Sequence, residues 1–399
     1  MKSNSDIPKS FKLDLHEKYP YKEVAEENQL VEVFRNWLPN YHKSVNNPLL
    51  YHIFSGQANC FVQSYKESNI IVWDEAFWSL YDKFSALVFC YLKLRNDCKD
   101  EGELVMLQTE CLTSFCFDLF GQLAFRFETI TWLRDKLLMY ADVFQATERV
   151  QMFMNRLDMN TQPFFVFSRY FAIYHELAHI VFKNDSDEYC NIIKEIDRLF
   201  SRPDDFYSTL EDEYLLDADT NKNKSSEYVS THKYLDNLIY TAETNAEVSL
   251  KNEIAADYFA MRELKVFTCG LNMFTNEYIA VTLCQIVTMF HKFIILIQTI
   301  FKNWNSFIPT IRCPHIKTEH IDHTDIFRNA TRSSIGSIGI QSVLLLTLGY
   351  SSATIDDFCI KHLDPLEKID YGFIMNIVAN PLTIQKIIDA DNDEISIFL

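Results

Sequence analysis

Apolar residues recur at three- and four-residue intervals along most of this chain, the period of a helix packed on one face. The pattern predicts helices over Glu75–Leu94, Leu104–Phe127, Thr131–Leu157 and Gln162–Lys183. Helix resumes before Glu253 and prevails to the end, with turns near Gly270, Pro309, Pro314 and Pro365. Helix and loop precede Tyr51, and two short runs, Gln57–Val62 and Asn69–Trp73, read as a strand pair. An acidic stretch through Asp185, Asp187, Glu188, Asp204, Asp205, Glu211, Asp212 and Glu213 reads as irregular. The predicted fold class is mainly α (α+β), a helical core with a small edge sheet and helical insertions. Residues 1–160 form an N-terminal helical region containing the strands at 57–73. Residues 161–399 form a second helical region with an acidic insertion at about 184–226.

One helix carries groups that are costly to bury. Pro163–Phe182 is apolar on nearly every side, with Thr161 as a candidate N-cap and Pro163 in the first turn. It belongs in the interior, yet it contains His175, Glu176 and His179. On a helix the two histidines share a face one turn apart and can grip one Zn2+, while Glu176 stands beside them as a general base. A metal would satisfy these groups together; two core histidines bonded to backbone are the plainer alternative.

A third ligand is sought downstream, in the helix-forming run Asn252–Ala260. Glu253 can close a His, His, Glu set that leaves a fourth tetrahedral position open, as catalytic zinc requires. Asp257, one turn on, can accept the free ring N–H of a ligating histidine and fix its tautomer, a supporting cofactor-binding role. Ala255, Ala256 and Ala260 would let this helix approach another closely. Carboxylates four apart that merely face solvent are the ordinary alternative.

His-Glu-Leu-Ala-His followed by Glu-Ile-Ala-Ala-Asp resembles the HExxH…ExxAD signature of gluzincin metallopeptidases. These include the heat-shock membrane proteases, the prenyl-protein endopeptidases and the soluble phage-exclusion Lit peptidases. Gln57–Val62 and Asn69–Trp73, with the helix from about Glu75, are similar to the edge strand, following strand and helix of those families. The resemblance implies a substrate peptide lying along that edge strand. It also implies a late His or Arg that holds the substrate carbonyl or the oxyanion, for which His323 and Arg328 are the candidates. The chain departs from the pattern in the long interval from His179 to Glu253. It departs again in the segment His315–Arg328, where the prolines after histidine are missing and the spacing differs.

Charge and composition narrow the function classes. With 37 basic and 55 acidic residues the net charge is −18, which argues against a nucleic-acid surface. A hydrophobic share of 48% supports a sizeable core. Ten cysteines without a CxxC pair read as reduced thiols, and the N-terminus shows no secretory pattern, so a cytoplasmic location is expected. With 8 glycines, an extended phosphate-binding loop is absent. Asp217–Asn223 has the acidic spacing that opens a calcium loop but lacks its turn glycine, so a solvated acidic loop is the expectation. Tyr278–Phe301 is long and apolar, but Gln285, His291, Lys292 and Gln298 interrupt it. It reads as a core helix behind the zinc site, with no stable membrane insertion expected.

The function expected is that of a zinc-dependent endopeptidase acting on a protein or peptide, with His175, His179 and Glu253 as ligands and Glu176 as general base. The Lit resemblance implies a regulatory or phage-defence role and leaves room for an activating partner protein. A non-catalytic interaction protein that keeps zinc for structure is the competing reading.

Overall fold

The computed structural model describes residues 7–18, 21–24, 48–55, 60–65, 68–127, 130–144, 147–155, 162–200, 250–307, 340–367, 369, 371, 374 and 378–389. The fold is mainly helical with one small mixed sheet, as the sequence predicts. The chain forms two compact units, each discontinuous in sequence. One comprises Met1–Val166, Lys292–Ile326 and Cys359–Leu399; the other comprises Phe167–His291 and Phe327–Phe358.

The first unit holds the sheet. Strands β1 (Tyr21–Glu23), β2 (Leu49–Ser55), β3 (Phe61–Tyr65) and β4 (Ser68–Asp74) lie in the order β1-β2-β4-β3. β2 and β4 run parallel, and the other neighbours are antiparallel. Helix α1 (Lys9–Lys18) packs on one face, with Phe11 and Leu15 clustering against Tyr51, Ile53, Ile70 and Val72. Ile70, Ile71, Val72 and Trp73 are all buried, so both faces of β4 are covered and its sequence is a continuous apolar run rather than an alternation. The expected strand pair is therefore half of a four-stranded sheet. β1 is only three residues long, and β2 is buried almost throughout, so neither shows the period of two that would flag a strand. Residues 57–59 of the expected edge strand lie outside the described residues; β3 ends the sheet.

Strand β4 turns directly into helix α2 (Glu75–Leu94) at Asp74. Its buried carboxylate accepts from Ala76 N–H at 3.0 Å, from Ser55 N–H at 2.9 Å and from the Ser55 hydroxyl at 2.6 Å. A cap of this kind is worth about 1 kcal/mol, and here it also ties β2 to the helix start. Trp73 stacks on Trp78 at 4.5 Å across the same junction. Helices α3 (Glu101–Arg126), α4 (Thr131–Val143) and α5 (Glu148–Met154) follow. The single helix expected over Thr131–Leu157 is thus two. Thr147 accepts from Val150 N–H at 3.4 Å and opens α5 as an N-cap, after Phe144 has turned in to stack on Phe120 at 5.5 Å.

The second unit is helical and carries the residues of interest. It is built from α6 (Gln162–Asn184) beyond its first turn, α7 (Ser186–Phe200), α8 (Leu250–Gly270), and α9 (Asn276–Phe307) as far as His291. Helix α10 (Gln341–Thr347) and most of α11 (Ser352–His362) complete it. Two short helices, α12 (Asp364–Glu367) and α13 (Pro381–Asp389), belong to the first unit. Ala255, Ala256 and Ala260 are fully buried on α8, where their small side chains allow close packing. Phe182 meets Phe259 edge-on at 5.8 Å between α6 and α8, and Phe171 meets Phe290 at 5.4 Å between α6 and α9. Gln341 on α10 donates to the Thr288 hydroxyl at 2.8 Å and to the Cys284 carbonyl at 3.1 Å, satisfying a buried amide. The start of the acidic stretch, expected to be irregular, is helix α7. Asp185 accepts from Glu188 N–H at 3.0 Å as its cap, and Tyr189, Ile192, Ile193 and Ile196 recur at helical spacing among the acids.

Among the described residues, two helices are long and apolar enough to cross a membrane by length and composition, α3 and the Asn276–Phe301 part of α9. In the second, 72% of the most apolar window is buried inside the protein, as in a core helix. Lys292 lies in that helix and donates to the Leu366 carbonyl at 3.1 Å within the first unit.

Candidate metal centre

Helix α6 presents His175 and His179 one turn apart, their rings nearly perpendicular and their Nε2 atoms 3.2 Å from each other. Helix α8 brings Glu253 to both. Its Oε2 lies 3.4 Å from His175 Nε2 and its Oε1 lies 3.6 Å from His179 Nε2. These three side chains form a group whose ligand atoms all lie within 4.8 Å of one another. Ligands held about 2.0–2.1 Å from a tetrahedral zinc stand about 3.3 Å apart. The two imidazole nitrogens stand 3.2 Å apart, close to that length, and each has one of the two Glu253 oxygens at 3.4 or 3.6 Å.

The proton arrangement points the same way. His175 Nδ1 lies 2.9 Å from Asp257 Oδ1, and Asp257 is completely buried. A carboxylate at Nδ1 leaves Nε2 as the ring atom directed toward His179 Nε2 and Glu253, where an unprotonated nitrogen would serve as a metal ligand. The donor set thus fits a divalent metal of the kind that imidazole and carboxylate hold, zinc above all.

Asp257 has a second partner that sequence reasoning missed. Its Oδ2 lies 3.0 Å from Nε2 of His291, which comes from α9 and is 2% exposed. The one available signal was a polar residue in an otherwise apolar helix. In the sequence that residue reads only as an obstacle to membrane insertion, because pairing between helices leaves no local sequence period. Together the two imidazole N–H groups satisfy both oxygens of a carboxylate that would otherwise be expensive to bury.

Exposure rises across the site from one side to the other. Asp257, His291 and His175 are buried, whereas the side chain of His179 keeps 28% of its surface and that of Glu253 keeps 14%. The group is accessible to solvent on the flank of His179. Glu176 follows His175 on α6 and is partly buried. Beyond Glu253, α7 is tied to α8 by polar contacts: Tyr189 to Asn252, Tyr258 to Glu195 at 2.6 Å, and Arg262 to Glu188.

The structure therefore brings His175, His179, Glu253 and Asp257 together, and adds His291. His323 and Arg328, with His315 and His320, lie outside the described residues, as does the acidic segment Asp217–Asn223. The cluster resembles a gluzincin-type zinc-binding motif and is geometrically compatible with metal coordination. Comparison of the chain with protein-family models, with curated proteins and with solved structures gives no match, so what can be said of its chemistry comes from these residues.

Proposed function

We propose that this protein is a zinc-dependent endopeptidase of the gluzincin type. The observation that carries the reading is the group of His175, His179 and Glu253, whose ligand atoms all lie within 4.8 Å of one another, backed by a buried carboxylate and partly exposed at His179. His175, His179 and Glu253 would hold the metal, and Asp257 would fix the tautomer and aim of His175. A zinc ion there supplies Lewis acidity toward the scissile carbonyl and acidifies the attacking water. Glu176 takes the proton from that water and returns it to the leaving amine, the work of a general base followed by a general acid. His323 and Arg328 are the proposed donors to the oxygen on which negative charge develops.

The substrate is an extended stretch of protein, as the family resemblance implies. The resemblance to Lit-type peptidases supports a regulatory or phage-defence protease that acts in the cytoplasm after a partner triggers it.

The test combines metal analysis of the purified full-length protein with a cleavage screen on casein and on cell extract, including phage-infected extract. Glu176→Gln is expected to retain stoichiometric zinc while cleavage falls by at least about a hundredfold. Glu253→Ala is expected to lose the metal. Zinc in the wild type without turnover in any extract would favour the non-catalytic scaffold. Undiminished zinc in Glu253→Ala would remove Glu253 from the ligand set.

A further inference from the structure

We propose that His291 is a positioning residue for the metal centre, which by holding the second oxygen of Asp257 locks that carboxylate and so aims the ring of His175. The inference rests on the zinc reading above and extends it by one layer, from α8 to α9.

The torsion that turns a carboxylate about its Cβ–Cγ bond is broad and roughly two-fold, so one hydrogen bond leaves it loosely set. Asp257 is held at both ends instead: Oδ1 faces His175 Nδ1 at 2.9 Å and Oδ2 faces His291 Nε2 at 3.0 Å. The two donors come from different helices, α6 and α9, and converge on a third, α8. A carboxylate clamped between them cannot swing without breaking a charge-assisted bond in a site that excludes water. Asp257 is 0% exposed and His291 2%, so solvent cannot replace either contact.

The neighbouring residue strengthens the coupling. Phe290 precedes His291 and meets Phe171 edge-on at 5.4 Å. Phe171 lies one turn before His175 on α6. Two consecutive residues of α9 therefore grip both the backbone segment that carries the metal ligand and the carboxylate that orients its ring. A histidine kept only for core packing would not need to share a carboxylate with a ligand.

The experiment compares three variants of the full-length protein. His291→Gln places an amide N–H where the imidazole Nε2 lies, and His291→Asn withdraws it. His291→Met has similar reach and no donor, and carries the same expectation as His291→Asn should that variant misfold. Zinc affinity is read by competition with a chromophoric chelator, and ligand geometry by the visible absorption of the cobalt-substituted protein. We expect His291→Asn and His291→Met to bind zinc about tenfold more weakly and to shift the cobalt bands. His291→Gln is expected to stay within about threefold of wild type with unchanged bands.

Wild-type zinc affinity and cobalt bands in a folded donor-less variant would overturn the inference and leave the zinc reading standing. A loss in His291→Gln equal to that in His291→Asn would do the same, as would a lowered melting temperature with no change at the metal. A wild-type protein that takes up neither zinc nor cobalt would overturn the zinc reading itself, and this inference with it.

Discussion

Glu253 and Asp257 stand one turn apart on the same helix, yet they serve opposite ends of the site. Asp257 faces inward, is completely buried and meets an imidazole at each oxygen. Glu253 keeps 14% of its side-chain surface and lies 3.4 and 3.6 Å from two imidazole nitrogens that lack protons to share with it if both rings are to bind metal. The inner carboxylate is therefore satisfied by the protein, whereas the outer one belongs to the group that is compatible with metal coordination. Rigidity is placed where water cannot enter, and exchangeable coordination is placed where it can, an arrangement suited to a centre that must hold one ligand position open.

The difference is broken most severely at Asp257. Asp257→Leu leaves two buried donors without their acceptor and is expected to cost about 3–5 kcal/mol in metal-free stability, read by urea denaturation in the presence of EDTA. Should that variant not fold, Asp257→Asn, which can accept from one imidazole but presents an N–H to the other, is expected to lose about 1–3 kcal/mol. Glu253→Gln is expected to change the metal-free stability by less than about 1 kcal/mol, because Glu253 and its partner His179 both keep contact with solvent. A Glu253→Gln protein as unstable in EDTA as the Asp257 variants would erase the distinction.

Zinc is expected to bring out the part played by Glu253. At a free concentration about a hundredfold above Kd, the metal is expected to stabilise the wild type by about 2.7 kcal/mol. Most of that increment should vanish in Glu253→Gln. A full zinc increment in Glu253→Gln, measured by the same denaturation with and without metal, would mean that another group completes the ligand set.

What the sequence displayed, and what it hid, follows the same line. His175, Glu176 and His179 were legible because a helix fixes their spacing locally, and Glu253 and Asp257 because four residues on a helix also define a face. The long helices α2, α6 and α8 were legible for the same reason of period. His291 was not, since its meaning depends on which helix lies opposite, and that is decided by packing of Phe290, Phe171 and the small residues of α8 rather than by any local pattern. β1 was too short and β2 too fully buried to show an alternation, so the sheet was seen only in part. The break between α4 and α5 hinged on a single side-chain cap at Thr147 within an unbroken apolar period.

A third carboxylate on α8 sharpens the comparison at a smaller scale. Burial pushes Glu263 up to about 7, although Arg262 donates to it from 3.0 and 3.1 Å. The folded-state value lies above the unfolded one, so its contribution to stability is fully present below about pH 4.5 and is lost as pH rises through about 7. Glu263→Gln is expected to remove about 1–2 kcal/mol of that decline between pH 5 and 8, and to leave zinc affinity unchanged. An unaltered pH profile in the variant would show that the single guanidinium compensates the buried charge as well as two imidazoles compensate Asp257.

The smallest effect is expected on the far side of α8, where α7 is attached. Tyr258 donates to Glu195 at 2.6 Å in an exposed contact, and water can take over from either partner. Tyr258→Phe should therefore cost only about 0.5–1 kcal/mol. Amide exchange should quicken in α7 while α6 and α8 around the metal keep their protection, because the apolar contacts of Phe182 and Phe259 remain. Zinc affinity in this variant is expected to match wild type. If it fell by more than about threefold, a 1.4 kcal/mol-per-decade scale would assign the seam a share in holding Glu253 comparable to the stability it contributes. The outer flank would then be preorganised by α7 much as the inner flank is by α9.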